Sequence, residues 1–220
     1  MTDGHSFIKR YFMARIIDKD EKRCDIALSS IKLFCDKGIQ QTSIDEIAKS
    51  AGVAKGTIYL YFKNKEEIVF TIWDFIIQEH ETIFQQLIKP DMSAKEKILM
   101  YYDFTHGIEN YENEQILILF QHFISSMLID KTNLYSDYFD KSFQVDYDFI
   151  STCLREGVEK GEFLIEDIDI LTNTIIMLLK GLVVKSKASN MNFHDTQLTL
   201  TKHISYLLEN CTKVKLWKNH

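Results

Sequence analysis

Thr42–Lys65 reads TSIDEIAKSAGVAKGTIYLYFKNK. Ile44, Ile47 and Ala48 fall on one side of a short helix, and Ala48 is small enough for a second helix to cross close to it. Four residues on, Gly52 supplies the positive φ of a tight turn. Val53, Ile58 and Phe62 then close a small core from the second helix. Two helices joined by a short glycine-containing turn are the helix-turn-helix pattern. With those three residues inward, Lys55, Gly56, Thr57, Tyr59 and Tyr61 are left on other faces. A merely solvated face favours Lys and Glu, whereas this one holds two tyrosines and a glycine that weakens the helix. It suits a major-groove reader: Lys reaches guanine or phosphate, Thr meets a thymine methyl, and Gly permits close approach. Thr42, Ser43, Tyr61, Lys63 and Lys65 are placed to hold phosphates. Short patterns of this kind also occur in proteins that never touch DNA.

Working outward, Cys24, Ala27, Leu28, Ile31, Phe34 and Cys35 form one apolar stripe at helical spacing, ended by Lys37-Gly38. After the motif, Asn64 caps a long helix, and Glu67 stands three residues on, as in a capping box. Pro90 ends that helix. Ser93 and Glu96 form a second capping box. Further helices are expected over 93–110, 113–129, 134–160, 167–187 and 195–211. No stretch alternates with period two for long enough to argue a sheet. The expected fold is all-α, about nine helices: an N-terminal three-helix DNA-binding domain and a larger C-terminal helical bundle. Residues 1–19 read as an arm or extension, 20–66 as the helix-turn-helix domain, and 67–220 as an effector-binding and dimerisation domain.

The 220 residues are 45% hydrophobic with one proline and eight glycines, a composition for long helices rather than a disordered chain. The net charge of −6 argues at first against nucleic acid. The distribution answers this: residues 1–67 carry 12 basic and 10 acidic side chains, residues 68–220 carry 14 and 22. The positive part coincides with the motif. No apolar run reaches the roughly 18 residues of a membrane span. Ile175–Val184 is the densest and contains Lys180. A cytoplasmic protein is expected, with no membrane partner. Cys24, Cys35, Cys153 and Cys211 form no CxxC pair and read as core residues. There is no HExxH, Gly-rich phosphate loop or GxSxG, and the histidines lack metal spacing, so no catalytic residue, metal or cofactor is expected.

Thr42-Ser43-Ile44 through Ile47-Ala48, Ala51-Gly52-Val53, Lys55-Gly56-Thr57-Ile58-Tyr59, Tyr61-Phe62 and Lys65-Glu66-Glu67 resemble the N-terminal domain of TetR-type transcriptional regulators. The resemblance covers residues 21–75. It implies that the helix from Val53 lies in the major groove, with Lys55, Thr57 and Tyr59 toward bases or nearby phosphates. Thr42, Tyr61 and Lys65 would grip the backbone. Arg155–Phe163 (REGVEKGEF) resembles a helix end common in these proteins. Met13-Ala14-Arg15-Ile16 looks like a natural start for one, so that Met13 is a candidate initiator, or 1–12 a loose arm carrying Lys9 and Arg10.

The resemblance also implies a homodimer formed by the last two helices, through Ile175, Leu178, Leu179, Leu182, Leu200, Ile204, Leu207 and Leu208. Two reading heads would then meet an inverted-repeat operator in double-stranded DNA. It implies further that aromatics of the middle helices line a pocket for a small-molecule effector, largely apolar or aromatic. Tyr102, His106, Phe120, Phe123, Met127 and Phe149 are the candidates. The expected function is a homodimeric repressor whose operator affinity changes with effector. The alternatives are a regulator without effector, controlled by a protein partner or by abundance, and, more remotely, an all-α enzyme.

Overall fold

The computed structural model describes residues 19–106 and 111–211. The expectations for residues 1–18 lie outside the described residues; the helix expected over 93–110 is shorter than expected, since it ends at Tyr101, and residues 102–106 are not helical. The chain forms two compact units, which divide between Ile77 and Gln78. Among the described residues the architecture is all-α with no β-strand, and no helix is long and apolar enough to cross a membrane.

In the N-terminal unit, residues 19–28 form α1, followed by α2 (Ile31–Lys37), α3 (Ile44–Ser50) and α4 (Lys55–Tyr61). The single helix expected through Cys24–Cys35 is broken at Ser29-Ser30. Both hydroxyls donate to the Ile26 carbonyl, at 2.8 and 3.1 Å. Ser30 N–H bonds the nearer Ala27 carbonyl at 3.0 Å, tightening the turn. The apolar stripe survives the break: Ile26, Ala27, Ile31 and Phe34 are all buried, together with Ile47, Ala48, Ile58 and Phe62. α5 (Lys65–Leu87) begins as its caps require. Asn64 Oδ1 accepts Glu67 N–H at 2.9 Å, while the Glu67 carboxylate accepts Lys63 N–H at 2.9 Å, one residue earlier than a standard box.

The C-terminal unit holds α6 (Ala94–Tyr101), α7 (Asn113–Ile129), α8 (Leu134–Glu159), α9 (Ile168–Ala188) and α10 (Phe193–Asn210). α9 packs against α7, α8 and α10, and α6 against α8 and α10. The Ser93–Glu96 box forms in full. The second α6 cap comes from far away in sequence: the Glu162 carboxylate accepts Ala94 N–H at 2.7 Å. That carboxylate is placed by the segment 155–163. Gly161 takes φ +74° past the end of α8, and Glu162 N–H returns to the Gly157 carbonyl at 2.8 Å. Gly157 has a second reason to be glycine, since an added Cβ would lie 2.4 Å from the buried Phe163 ring and 2.9 Å from Ala94 Cβ.

No disulfide forms among the described residues. Burial pushes the Cys35 and Cys153 thiols up to about 11, the opposite of what a reactive thiolate needs.

The residues expected in a subunit interface divide between the core of the chain and its margin. Ile175, Leu182, Leu200, Ile204 and Leu208, placed above in a subunit interface, are buried in the chain's own core, and Leu178, Leu179 and Leu207 pack against that core. Both faces of α9 are apolar, and the larger Leu/Ile stripe is taken by α7, α8 and α10 of the same chain. Exposed on α9 are Asp169, Ile170, Thr174, Met177, Gly181, Val184, Lys185, Lys187 and Ala188. Six of these, Ile170, Thr174, Met177, Gly181, Val184 and Ala188, follow the four-three alternation of an uncharged coiled-coil seam, with Asp169, Lys185 and Lys187 beside it.

Candidate nucleic-acid interface

α3 starts on Ser43, whose hydroxyl accepts Glu46 N–H at 3.3 Å while the Glu46 carboxylate accepts the Ser43 N–H at 3.0 Å and its hydroxyl at 2.9 Å. Lys37 pairs with the same carboxylate. Together these bonds hold the Glu46 carboxyl down at about 2, the Lys37 bond contributing most. α3 ends in a Schellman motif, as the glycine predicts: Gly52 has φ +64°, Val53 N–H bonds Ala48 at 3.0 Å and Gly52 N–H bonds Lys49 at 3.2 Å. The turn delivers α4 with Ile58 and Phe62 inward, 0% and 2% exposed; Val53 is half-buried.

The outward residues of α4 are Lys55, Gly56, Tyr59 and Leu60. Tyr59 is 55% and Leu60 74% exposed, so the centre of this face is apolar and aromatic. A Cβ on Gly56 would meet nothing within 4 Å, which means the glycine answers no need of the free protein. Lys55 Nζ sits 2.9 Å from an Asp45 carboxylate oxygen on the surface, which raises the lysine's pKa. Thr57 and Tyr61 are half-buried beside this face; Ser43 and Lys63 are exposed at its margin.

Two of the expected phosphate holders are committed elsewhere in the free chain. Thr42 is 2% exposed, and its hydroxyl donates to the Gly38 carbonyl at 2.8 Å. Its side chain therefore locks the α2–α3 connection instead of facing a ligand. Lys65 Nζ donates to the carbonyls of Gln40 and Thr42, both at 3.0 Å. Half-burial lowers its pKa, and one ammonium hydrogen is left for an outside acceptor.

Two residues here were missed from the sequence. Leu60 was discoverable by elimination, since it lies outside the Ile58–Phe62 stripe. Arg23 carried no signal. Its guanidinium donates to the Tyr61 carbonyl at 2.8 Å and the Thr71 hydroxyl at 3.2 Å, and lies 4.6 Å over the Phe62 ring. It clamps the C-terminal end of α4 from α1.

The family model described as "Bacterial regulatory proteins, tetR family" matches residues 28–72. Residues 28–72 are thus a TetR-type helix-turn-helix domain. Over 82 residues it is 37% identical to the fatty acid metabolism regulator protein of Bacillus subtilis, a stretch that is 37% of this chain and 42% of that protein. The chain thus aligns with less than half the length of that relative. Beyond the TetR-type domain the likeness is one of fold. The crystal structure of the Bacillus subtilis regulator FadR in complex with stearoyl-CoA superposes with a TM-score of 0.64 at 23% identity, over 86% of this chain and 97% of that one. A TetR-family regulator from Cytophaga hutchinsonii gives 0.71 at 17% identity, over 90% and 98%. These relatives are named as regulators, not as enzymes.

The six effector candidates do not converge. Tyr102 and Phe149 join one aromatic cluster through Tyr101, which stacks on Phe149 at 4.3 Å and meets Tyr102 edge-on at 5.4 Å. Phe84, His80 and Phe104 complete it. Phe123 is buried in another cluster, against Tyr135 at 5.3 Å and Tyr138 at 5.9 Å. Phe120 and Met127 are half-buried on α7. His106 is exposed and lies 3.6 Å from Asp103. An open groove of about 510 Å³ between α6 and α10, lined by Leu99, Met100, Gln197 and Leu198 among others, includes none of the six.

Proposed function

We propose that this protein is a sequence-specific DNA-binding transcriptional regulator, a cytoplasmic homodimeric repressor whose operator affinity is set by a small-molecule effector held in the C-terminal unit. The observation that carries the reading is the outer face of α4. Its inner side chains and the Arg23 clamp fix the helix, while Tyr59, Leu60 and an open Gly56 stand outward beside Lys55. That surface matches base edges and thymine methyls better than it matches water. Ser43, Lys63 and the remaining donor of Lys65 are assigned to phosphates, and Thr42 to the support of that edge. The α9 seam from Ile170 to Ala188 supports a second copy of the chain, since an uncharged heptad stripe with glycine at its centre suits close helix pairing. Two heads then meet half-sites about one DNA turn apart. The relative solved with stearoyl-CoA supports an amphiphilic effector class for the C-terminal unit.

The test is selection of bound sequences from random double-stranded DNA at a stated salt concentration. An enriched inverted repeat is the expected result. A folded, dimeric protein that enriches nothing, with or without added amphiphiles, would overturn the reading. The alternative of a regulator without effector is favoured by one observation, the scatter of the aromatic candidates over two clusters. Operator release by a protein partner, and by no small molecule, would establish it.

A further inference from the structure

At the meeting of α6, α8 and α9 the chain buries charge without completing its hydrogen bonds. Lys180 stands in the apolar run of α9 with its side chain 16% exposed. Its ammonium lies 3.9 Å from the centre of the Phe139 ring and 5.9 Å from that of Phe143. The nearest carboxylate oxygen is Asp146 Oδ2 at 3.8 Å, an ion pair too long for a hydrogen bond. Asp146 Oδ1 is already taken by the Tyr101 hydroxyl, which donates to it at 2.8 Å. Beside Tyr101, the Tyr102 side chain is 2% exposed, and its hydroxyl finds no partner among the described residues. Burial raises the pKa of Asp146 and lowers that of Lys180. Both shifts disfavour the charged forms, as expected of a pair whose attraction does not offset its desolvation.

The shortage is of one kind. Three ammonium hydrogens on Lys180 and the Tyr102 hydroxyl make no hydrogen bond among the described residues, and against these four donors stands one unbonded carboxylate oxygen, Asp146 Oδ2, 3.8 Å from Lys180. A ligand bearing an ammonium would add donors and compete with Lys180 for the Phe139 ring. A neutral apolar ligand would leave the donors as they are. A ligand bearing a carboxylate would supply the missing lone pairs. The side chains of Asp146 and Lys180 keep 17% and 16% of their surface in solvent, so the cluster can be reached from outside.

We propose that Lys180 and Tyr102, with Tyr101 and Asp146 beside them, form an anion-recognising centre for a carboxylate-bearing apolar effector. The carboxylate takes the Lys180 ammonium and the Tyr102 hydroxyl, and the apolar body lies among Phe139, Phe143 and Phe149. The inference rests on the reading of the C-terminal unit as effector-binding. It differs from the pocket for a largely apolar or aromatic effector expected from sequence by adding a charged contact. It also supplies a route to the DNA response: Lys180 lies between the seam residues Met177 and Gly181 on α9, so drawing it away from Asp146 acts on the helix that carries the second-copy contact.

The experiment uses the full-length protein and two matched series: 2-naphthoate, 2-naphthamide and 2-naphthylmethylammonium, and decanoate, decanamide and decylammonium. Titration calorimetry reads binding, and fluorescence anisotropy reads release of the selected operator. In at least one series the carboxylate should bind tenfold or more tighter than both isosteres. Tyr102→Phe should weaken it about threefold to tenfold, and Lys180→Met should abolish the preference. Because Lys180→Met leaves Asp146 without its counter-charge, the double variant Lys180→Met/Asp146→Asn, with its circular dichroism and unfolding midpoint, guards against a folding artefact. A preference for the ammonium, equal binding across both series, no binding of any probe, or a carboxylate preference that survives in a folded Lys180 variant would overturn the proposal. Lys180-dependent carboxylate binding that leaves operator affinity unchanged would keep the anion site and sink the effector reading. Operator release by probes that ignore Lys180 would do the reverse.

Discussion

The N-terminal unit puts its apolar residues inside and its unusual residues outside, while the C-terminal unit is apolar on both sides of α9 and carries its unusual residue, Lys180, inside. In the first, each short helix has one stripe to bury, so the leftover face is defined once the stripe is read. In the second, two stripes compete for the same neighbours, and sequence periodicity does not say which of them a single chain takes. A helix with one apolar face announces its function by what is left over; a helix with two does not.

The sharpest way to break this comparison is to exchange the roles of the two α9–α10 surfaces. Ile204→Ala removes a fully buried side chain of the core and should cost about 2–5 kcal/mol in denaturant unfolding. Met177→Ala, 63% exposed on the seam, should change unfolding of the monomer by no more than about 0.5 kcal/mol. Its effect should appear in sedimentation as a weaker self-association. Equal destabilisation by the two would mean that the seam is core.

Next in size is the outer face of α4. Tyr59→Ala should weaken operator binding by about 1–3 kcal/mol while leaving non-specific binding nearly unchanged, measured at one salt concentration against operator and scrambled duplex. Equal losses on both duplexes would remove Tyr59 from base reading. Lys63→Ala should act oppositely, weakening both duplexes alike and reducing the salt slope by about one.

Gly56→Ala separates folding from binding at one atom. The added Cβ meets open space in the free chain and should stabilise α4 by about 0.5–1 kcal/mol. If DNA approaches Gly56 closely, as proposed, operator affinity should nevertheless fall. A variant that is both more stable and as tight a binder would deny the close approach.

The smallest expected effect is a pH dependence at the start of α3. The Glu46 carboxyl, held at about 2 in the fold against an ordinary 4.5, contributes fully above pH 4.5. That contribution is lost as the pH falls toward 2. The difference in thermal midpoint between the natural protein and Glu46→Gln should therefore shrink over this window. A difference that stays constant to pH 2 would mean that Lys37 and Ser43 do not hold the charge.

The helix-turn-helix was legible because its determinants are local. Ser43 and Glu46 are three residues apart, Gly52 sits where a positive φ is needed, and Ile58 and Phe62 are one turn apart. The same holds for the Ser93–Glu96 box and the glycine turn at Gly161. Elsewhere the surroundings of the folded side chain decided, whether the partner stood three or four residues away, as for His106 and Thr42, or far along the chain, as for Lys180. Thr42 reads as a phosphate holder until the Gly38 carbonyl takes its hydroxyl. His106 reads as a pocket candidate, and it stands on the surface beside Asp103. Lys180 reads as an interruption of an apolar run until Phe139, Phe143 and Asp146, one face of α8, close around it.

By itself the sequence determined an all-α chain, the position and caps of most helices, and a TetR-type helix-turn-helix whose outward residues follow from a single apolar stripe. Caps, turns and periodicity act over one to four residues, and these distances are written in the chain. Only the tertiary structure decided which face of α9 is core and which is free, what holds α4 in place from Arg23, and which buried polar groups meet. Those outcomes depend on which of several nearly equivalent apolar surfaces pack together, and on partners that lie 34 to 48 residues apart between Asp146 and Lys180, or between Arg23 and Tyr61 or Thr71.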